Sequence, residues 1–237
     1  MAEKKITENT VLLIGELEGD LEYSYEAYGE KFYVGRVKSN RLNNSTVDFV
    51  PITVSERLID VTKCIEHTRV KIKGQYRSFN KIDNEAGTRH LVLSVFCKDI
   101  EILEAEPQDD IWEADDDKIS LRGFLCKAPT FRTTPHGREV SDIMLAVPRS
   151  YGKSDYIPCI TWGRNARFAA DLKPGTEISV NGRIQSRQYK KRLDDTNFEI
   201  RDVYEISISS LIVVNIPEPV EEETTEEELV ETIDEAE

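Results

Sequence analysis

"SVNGRIQSRQYKKR", from Ser179 to Arg192, alternates apolar and polar residues and then runs into cations around an aromatic ring. The alternation is that of a half-buried strand. Gly182 sits inside it, where a small barrel needs a sharp bend. Beyond Ser186 the pattern changes, and Arg187, Lys190, Lys191 and Arg192 surround Tyr189. A solvated hairpin tip accounts for the cations but not for the ring. A surface that follows a phosphate backbone and stacks a base on the ring accounts for both.

The same stretch is one half of an internal repeat. "EISVNGRIQS" (Glu177–Ser186) matches "RVKIKGQYRS" (Arg69–Ser78), with Gly182 opposite Gly74. "ISLRGFL" (Ile119–Leu125) matches "VLLIGEL" (Val11–Leu17), with Gly123 opposite Gly15. "DYIPCIT" (Asp155–Thr161) matches "DFVPITV" (Asp48–Val54). The offset stays near 108 residues throughout, which marks a duplicated domain. Each copy reads as five strands and one short helix, with the helix between the third and fourth strands. That order is the five-stranded OB barrel. The fold class is therefore mainly β: two tandem OB barrels, each with a short helix, followed by a disordered acidic tail. The expected boundaries are 1–106 for the first, more divergent domain, 107–116 for an acidic linker, 117–216 for the second domain and 217–237 for the tail. Trp112 in the linker is expected to anchor on a neighbouring domain.

A net charge of −14 over 237 residues looks hostile to nucleic acid, but it is unevenly placed. Residues 217–237 hold eleven acids and no Lys or Arg, and residues 107–116 hold five acids and no Lys or Arg. Residues 1–106 carry 15 basic and 18 acidic groups, and residues 117–216 carry 16 and 11. The second domain is the basic one. No apolar run is long enough for a membrane helix. "MAEKKITENT" lacks the apolar stretch of a secretory leader, so a cytoplasmic location is expected. Cys64, Cys97, Cys126 and Cys159 share no metal or redox spacing and are expected as buried, reduced thiols. His67, His90 and His136 fall in unrelated segments without a catalytic motif, so neither an enzyme nor a cofactor is expected.

"SDYIPCITWGRNA" (Ser154–Ala166) and "VNGRIQSRQY" (Val180–Tyr189) resemble the bacterial single-stranded DNA-binding protein family, and residues 118–214 follow its pattern throughout. Residues 9–103 follow it more loosely. Two copies in one chain resemble the tandem-domain members, which implies a homodimer presenting four barrels. The resemblance implies sequence-independent binding of single-stranded DNA in replication, recombination and repair, in a bacterial nucleoid or on a phage or plasmid. It implies stacking rings at Tyr151, Tyr156, Trp162 and Tyr189. Phosphate contacts are expected from Arg132, Arg149, Lys153, Arg187, Lys190, Lys191 and Arg192.

In the first domain Phe49 holds the Tyr156 position, Ser55 stands where Trp162 aligns, and Lys81 aligns near Tyr189. Phe79, Lys38, Arg41, Arg77 and Lys81 are its groove candidates. Its acidic segment "GELEGDLEYSYEAYGE" (Gly15–Glu30) points to weaker DNA contact, or to a partner or dimer role. Tyr23, Tyr25 and Tyr28 within it are expected to pack against the barrel. The acidic tail is expected to compete with DNA for the groove, and Leu229, Val230 and Ile233 within it to form a partner helix. It lacks the family's apolar Pro-Phe tip, which leaves recruitment of replication and repair proteins open. An RNA-binding OB module and an interaction scaffold are the alternatives, since fold does not fix function.

Overall fold

The computed structural model describes residues 8–41, 46–83, 88–103, 115–192 and 198–217. The tail beyond Pro217, the core of the expected linker and Trp112 lie outside them.

The first repeat forms β1 (Asn9–Leu17), β2 (Glu22–Ala27), β3 (Glu30–Asn40), β4 (Val47–Ser55), a 3-10 turn (Val61–Lys63), β5 (Arg69–Asp83) and β6 (Thr88–Ile102). The second forms β7 (Asp116–Leu125), β8 (Thr130–Thr133), β9 (Glu139–Pro148), a 3-10 turn (Ser150–Gly152), β10 (Ser154–Trp162), α1 (Gly163–Ala170), β11 (Glu177–Arg192) and β12 (Phe198–Asn215). In each repeat five strands close a barrel. The first strand pairs with the second, the second with the third, and the third runs parallel to the fifth. The fifth pairs with the fourth, which returns to the first. The second barrel repeats this circuit with β7, β9, β10, β12 and β11.

Two features differ from the sequence expectation. Each repeat has a sixth strand, β2 or β8, which pairs only with the barrel's second strand among the described residues. The first repeat also has a three-residue 3-10 turn, capped by Asp60 on the Thr62 amide, where a helix was expected. The second has the eight-residue α1, which buries Ala166 and Ala169. Small side chains let a helix lie close to β9, where Ser141 Oγ donates to the Ala166 carbonyl at 2.7 Å.

The glycines explain the curvature. Both fourth strands carry a bulge at their glycine, Gly74 and Gly182. A Cβ at Gly182 would sit 2.2 Å from the Ser207 carbonyl oxygen, and one at Gly74 would sit 2.6 Å from that of Phe96. Only glycine lets the strand bend that close to its neighbour.

The two barrels share one sheet. β1 pairs antiparallel with β7, and Val11 faces Ile119, its own equivalent in the repeat. The contact is therefore nearly two-fold symmetric, like an isologous dimer interface within one chain. Leu13, Ile72, Leu121, Leu145, Ile157, Ile178 and Ile184 are completely shut off from solvent, and the apolar cores join through this seam.

Two carboxylates lock the seam at symmetric positions. Asp155, fully buried, accepts from Arg149 Nε at 2.7 Å, Arg77 Nη1 at 3.3 Å and the Ser78 amide at 2.5 Å. Asp48 accepts from both Arg41 nitrogens at 2.7 and 2.8 Å, Arg183 Nη1 at 2.7 Å and the Ser186 amide at 2.8 Å. The hydroxyls of Ser78 and Ser186 accept from the amides of Tyr156 and Phe49 at 2.8 and 2.9 Å. A buried carboxylate needs such full pairing to stay charged.

Candidate nucleic-acid interface

The candidate rings lie on the second barrel and on the elements that leave it. Tyr156 and Trp162 occupy the same row of β10, 52% and 38% exposed, while the alternate residues Ile157, Cys159 and Thr161 are buried. The period of two that builds the core thus pushes these rings outward. Trp162 ends the strand at the N-terminus of α1. Tyr151 is fully exposed in the turn before β10, and both it and Gly152 have positive φ, 68° and 72°. Positive φ is costly for a tyrosine, so the turn that carries this exposed ring is strained. Lys153, also exposed, follows it, and its carbonyl accepts from the Arg149 amide at 2.7 Å. Tyr189 is 38% exposed on the far half of β11, opposite Arg201 of β12. Lys190, Lys191 and Arg192 continue that strand opposite Ile200, Glu199 and Phe198.

The cations divide into two kinds. Arg132 on β8 makes a forked pair with Asp142 of β9 at 2.8 and 3.1 Å and remains exposed. Arg187 on β11 donates to Glu205 at 3.3 Å and is half exposed. Glu205 is buried on β12 and also accepts from Gln185 Nε2 of β11 at 2.6 Å. Arg149, expected as a phosphate contact, and Arg77, expected to line the first groove, are engaged on Asp155, and Arg149 also donates to the Ser78 carbonyl at 2.7 Å. Both hold the barrels together, which no local pattern signals.

In the first barrel Phe79 is half exposed on β5, with Lys81 exposed beyond it. Lys38 is half-buried on β3. Phe49 is half-buried, and the Arg36 guanidinium lies 5.9 Å from its ring centroid. Arg36 also pairs with Glu18 at 2.8 Å and reaches Asp202 of β12 at 3.6 Å. The second barrel's long hairpin therefore leans on this face of the first. Ser55, at the Trp162 position, is buried and bonded to Glu30.

Two expectations are corrected. Tyr23, Tyr25 and Tyr28 are all exposed, and Tyr28, at the β2–β3 turn, stands clear of the barrel. Their contacts are local: Tyr25 stacks on Phe32 at 4.8 Å, and Tyr23 meets Tyr33 edge-on at 5.9 Å. Of the cysteines, Cys64, Cys97 and Cys159 are buried, but Cys126 is exposed just past β7. Burial pushes the Cys97 thiol up to about 12 and raises Cys159 as well. Phe131 on β8 and Phe198 on β12, 42% and 58% exposed, are rings the sequence reading did not single out. Phe131 directly precedes Arg132, the same ring-and-cation pairing that marked Tyr189.

The chain resembles known proteins in both sequence and fold. Residues 116–212 match the model of the single-strand binding protein family. Single-stranded DNA-binding protein A of Bacillus subtilis is 38% identical over 82 residues, which are 32% of this chain and 48% of that protein. The single-stranded DNA-binding protein of Clostridium tetani is 34% identical over 93 residues, 36% of this chain and 63% of that one. This chain spans about half the length of most such relatives. The crystal structure of the single-stranded DNA binding protein from Thermus aquaticus superposes with a TM-score of 0.65 over 90% of this chain and 95% of that one, at 19% identity. It shares the two-barrel fold. Over residues 116–212, which carry the rings of β10 and β11, this chain is similar to the single-strand binding protein family.

Proposed function

We propose that this chain binds single-stranded DNA without regard to sequence and protects it during replication, recombination and repair. The observation that carries the reading is the set of outward rings on the second barrel. Tyr151, Tyr156, Trp162 and Tyr189 are all exposed, Tyr156 and Trp162 on a strand whose alternate residues are buried, and Arg132, Lys153 and Arg187 are exposed on the same barrel. Exposed rings cost apolar surface in water, and bases offer them a π-face whatever the sequence. The cations of β8 and β11, with Lys190, Lys191 and Arg192, follow the phosphates. The protein acts by binding, without a cofactor or catalysis, in the bacterial cytoplasm on chromosomal, phage or plasmid DNA. It works as a homodimer with four barrels. The first barrel contributes less to the strand, through Phe79, Lys38 and Lys81, because Phe49, Arg77 and Arg41 are engaged in the seam. The acidic segment beyond Pro217 competes with the strand for the basic groove and offers a contact for replication and repair proteins.

The test is a direct comparison of the full chain on dT and rU homopolymers of equal length at one salt concentration. Tighter binding to dT is expected. Preference for rU would favour an RNA-binding module, and binding to neither would favour an interaction scaffold.

A further inference from the structure

The two repeats carry equivalent hairpins of opposite charge. From Gly15 to Glu30 the first has six acids and no Lys or Arg: Glu16, Glu18, Asp20, Glu22, Glu26 and Glu30. From Gly123 to Arg138 the second has Lys127, Arg132 and Arg138 and no acid. Both segments project exposed rings, Tyr23, Tyr25 and Tyr28 on one and Phe131 on the other. Tyr28 and Gly29 both have positive φ, which holds the acidic hairpin in a two-residue turn with its tip in solvent.

These hairpins end in the two outermost strands of the twelve-stranded sheet, whose order begins at β2 and ends at β8. Among the described residues β2 pairs with β3 alone and β8 with β9 alone. Every residue of β8 is exposed, as is all of β2 but Ala27. A free edge presents unpaired amides and carbonyls to any strand that fits it. No ion pair reaches Glu22 or Glu26 among the described residues. Pairing β2 with β2, or β8 with β8, would set like charges face to face, which is unfavourable. Pairing β2 of one molecule with β8 of another sets acids against cations and ring against ring.

We propose that copies of this chain associate head to tail, with the acidic β2–β3 edge of one molecule docked on the basic β8–β9 edge of the next. Such a contact is heterologous and leaves a free edge of each kind at the ends, so it grows into an open row. It goes beyond strand binding and does not depend on it.

The experiment uses the full chain without DNA. Light scattering is read over a concentration series near 0.1 M salt, where the screening length is about 10 Å and the net negative charge no longer dominates. Two variants carry reversed edges, Glu22→Lys with Glu26→Lys, and Lys127→Glu with Arg138→Glu. All four sites are exposed, and circular dichroism checks the fold. The wild-type mass should climb past that of the homodimer by about twofold or more as an open series does, and that climb should collapse near 1 M salt, where screening shortens to about 3 Å. Each variant alone should stop at the mass of the homodimer. An equal mixture should climb again, because the reversed edges complement each other. A wild-type mass that stops at the homodimer, a climb past the homodimer in either variant, or a mixture no heavier than its parts would overturn the proposal. A basic segment of another protein, or DNA on β8 alone, would produce the first of these results.

Discussion

Tyr189 and Asp117 carry the residue-scale claims. Tyr189→Ala should weaken binding to dT by about 1–3 kcal/mol, the value of one stacked base. The loss should persist at high salt, because stacking releases no counterions. Titration at two salt concentrations checks it, and unchanged binding by a folded variant would remove the ring from the interface. Asp117 poses a different problem. Its equivalent, Asn9, both accepts from the Tyr76 amide and donates to the Tyr76 carbonyl, each at 2.8 Å. Asp117 accepts from the Ile184 amide at 3.1 Å, but its second oxygen is shut off from solvent without a partner. Burial pushes its carboxyl up to about 8, with Asp48 and Asp116 adding to the rise and the Ile184 amide and Arg183 opposing it. A folded-state value above the unfolded value of about 3.9 means the folded form holds an extra proton between the two. Stability should therefore fall as pH rises from about 4 to about 8. Asp117→Asn should flatten that fall and gain about 1–3 kcal/mol at alkaline pH by supplying the missing donor. Denaturant midpoints across pH read both effects, and an unaltered slope would show that Asp117 is charged throughout.

At the scale of elements, the β11–β12 hairpin separates stacking from charge. Changing Lys190, Lys191 and Arg192 together to Ala should reduce the salt dependence of binding, not the fold. Single strands give a log–log slope of about −0.7 per phosphate neutralised, so three lost contacts lower it by about 2. An unchanged slope would mean a solvated tip. The hairpin itself was legible because local rules govern it. Its alternation, its glycine bulge and its cluster of cations all lie within one stretch of chain. The same holds for the outward row of Tyr156 and Trp162 on β10. The extra strands β2 and β8 were less legible, since β8 is four residues long with no alternation of burial. The acidic hairpin misled for a related reason. Its tyrosines have the composition of core residues, but they pair with rings of their own hairpin.

At the scale of the molecule, the repeat predicted two barrels but not how they meet. Asp155 and Ser78 lie 77 residues apart, and Asp48 and Ser186 lie 138 apart. No periodicity connects such partners, so Arg149 read as a phosphate contact and Arg77 as a groove cation, while both guanidiniums face a buried carboxylate. This has a consequence for stability. Asp155→Ala leaves two arginines facing an empty site and should cost about 3–5 kcal/mol, as breaking a buried ion pair does. With Asp48→Ala added, the single unfolding transition expected of the joined barrels should split into two in calorimetry. A double variant that still unfolds in one transition would assign the coupling to the β1–β7 seam alone.

The central claim, that the outward rings of the second barrel stack on a single strand, can be read from tryptophan fluorescence. The chain has two tryptophans, Trp112 and Trp162. Titrating the full chain with poly(dT) should quench its emission to saturation. Trp112→Phe should keep that quenching, and Trp162→Phe should lose it while still binding. A wild-type signal that poly(dT) leaves unchanged, or quenching that survives Trp162→Phe and vanishes with Trp112→Phe, would contradict the placement of the strand on this face.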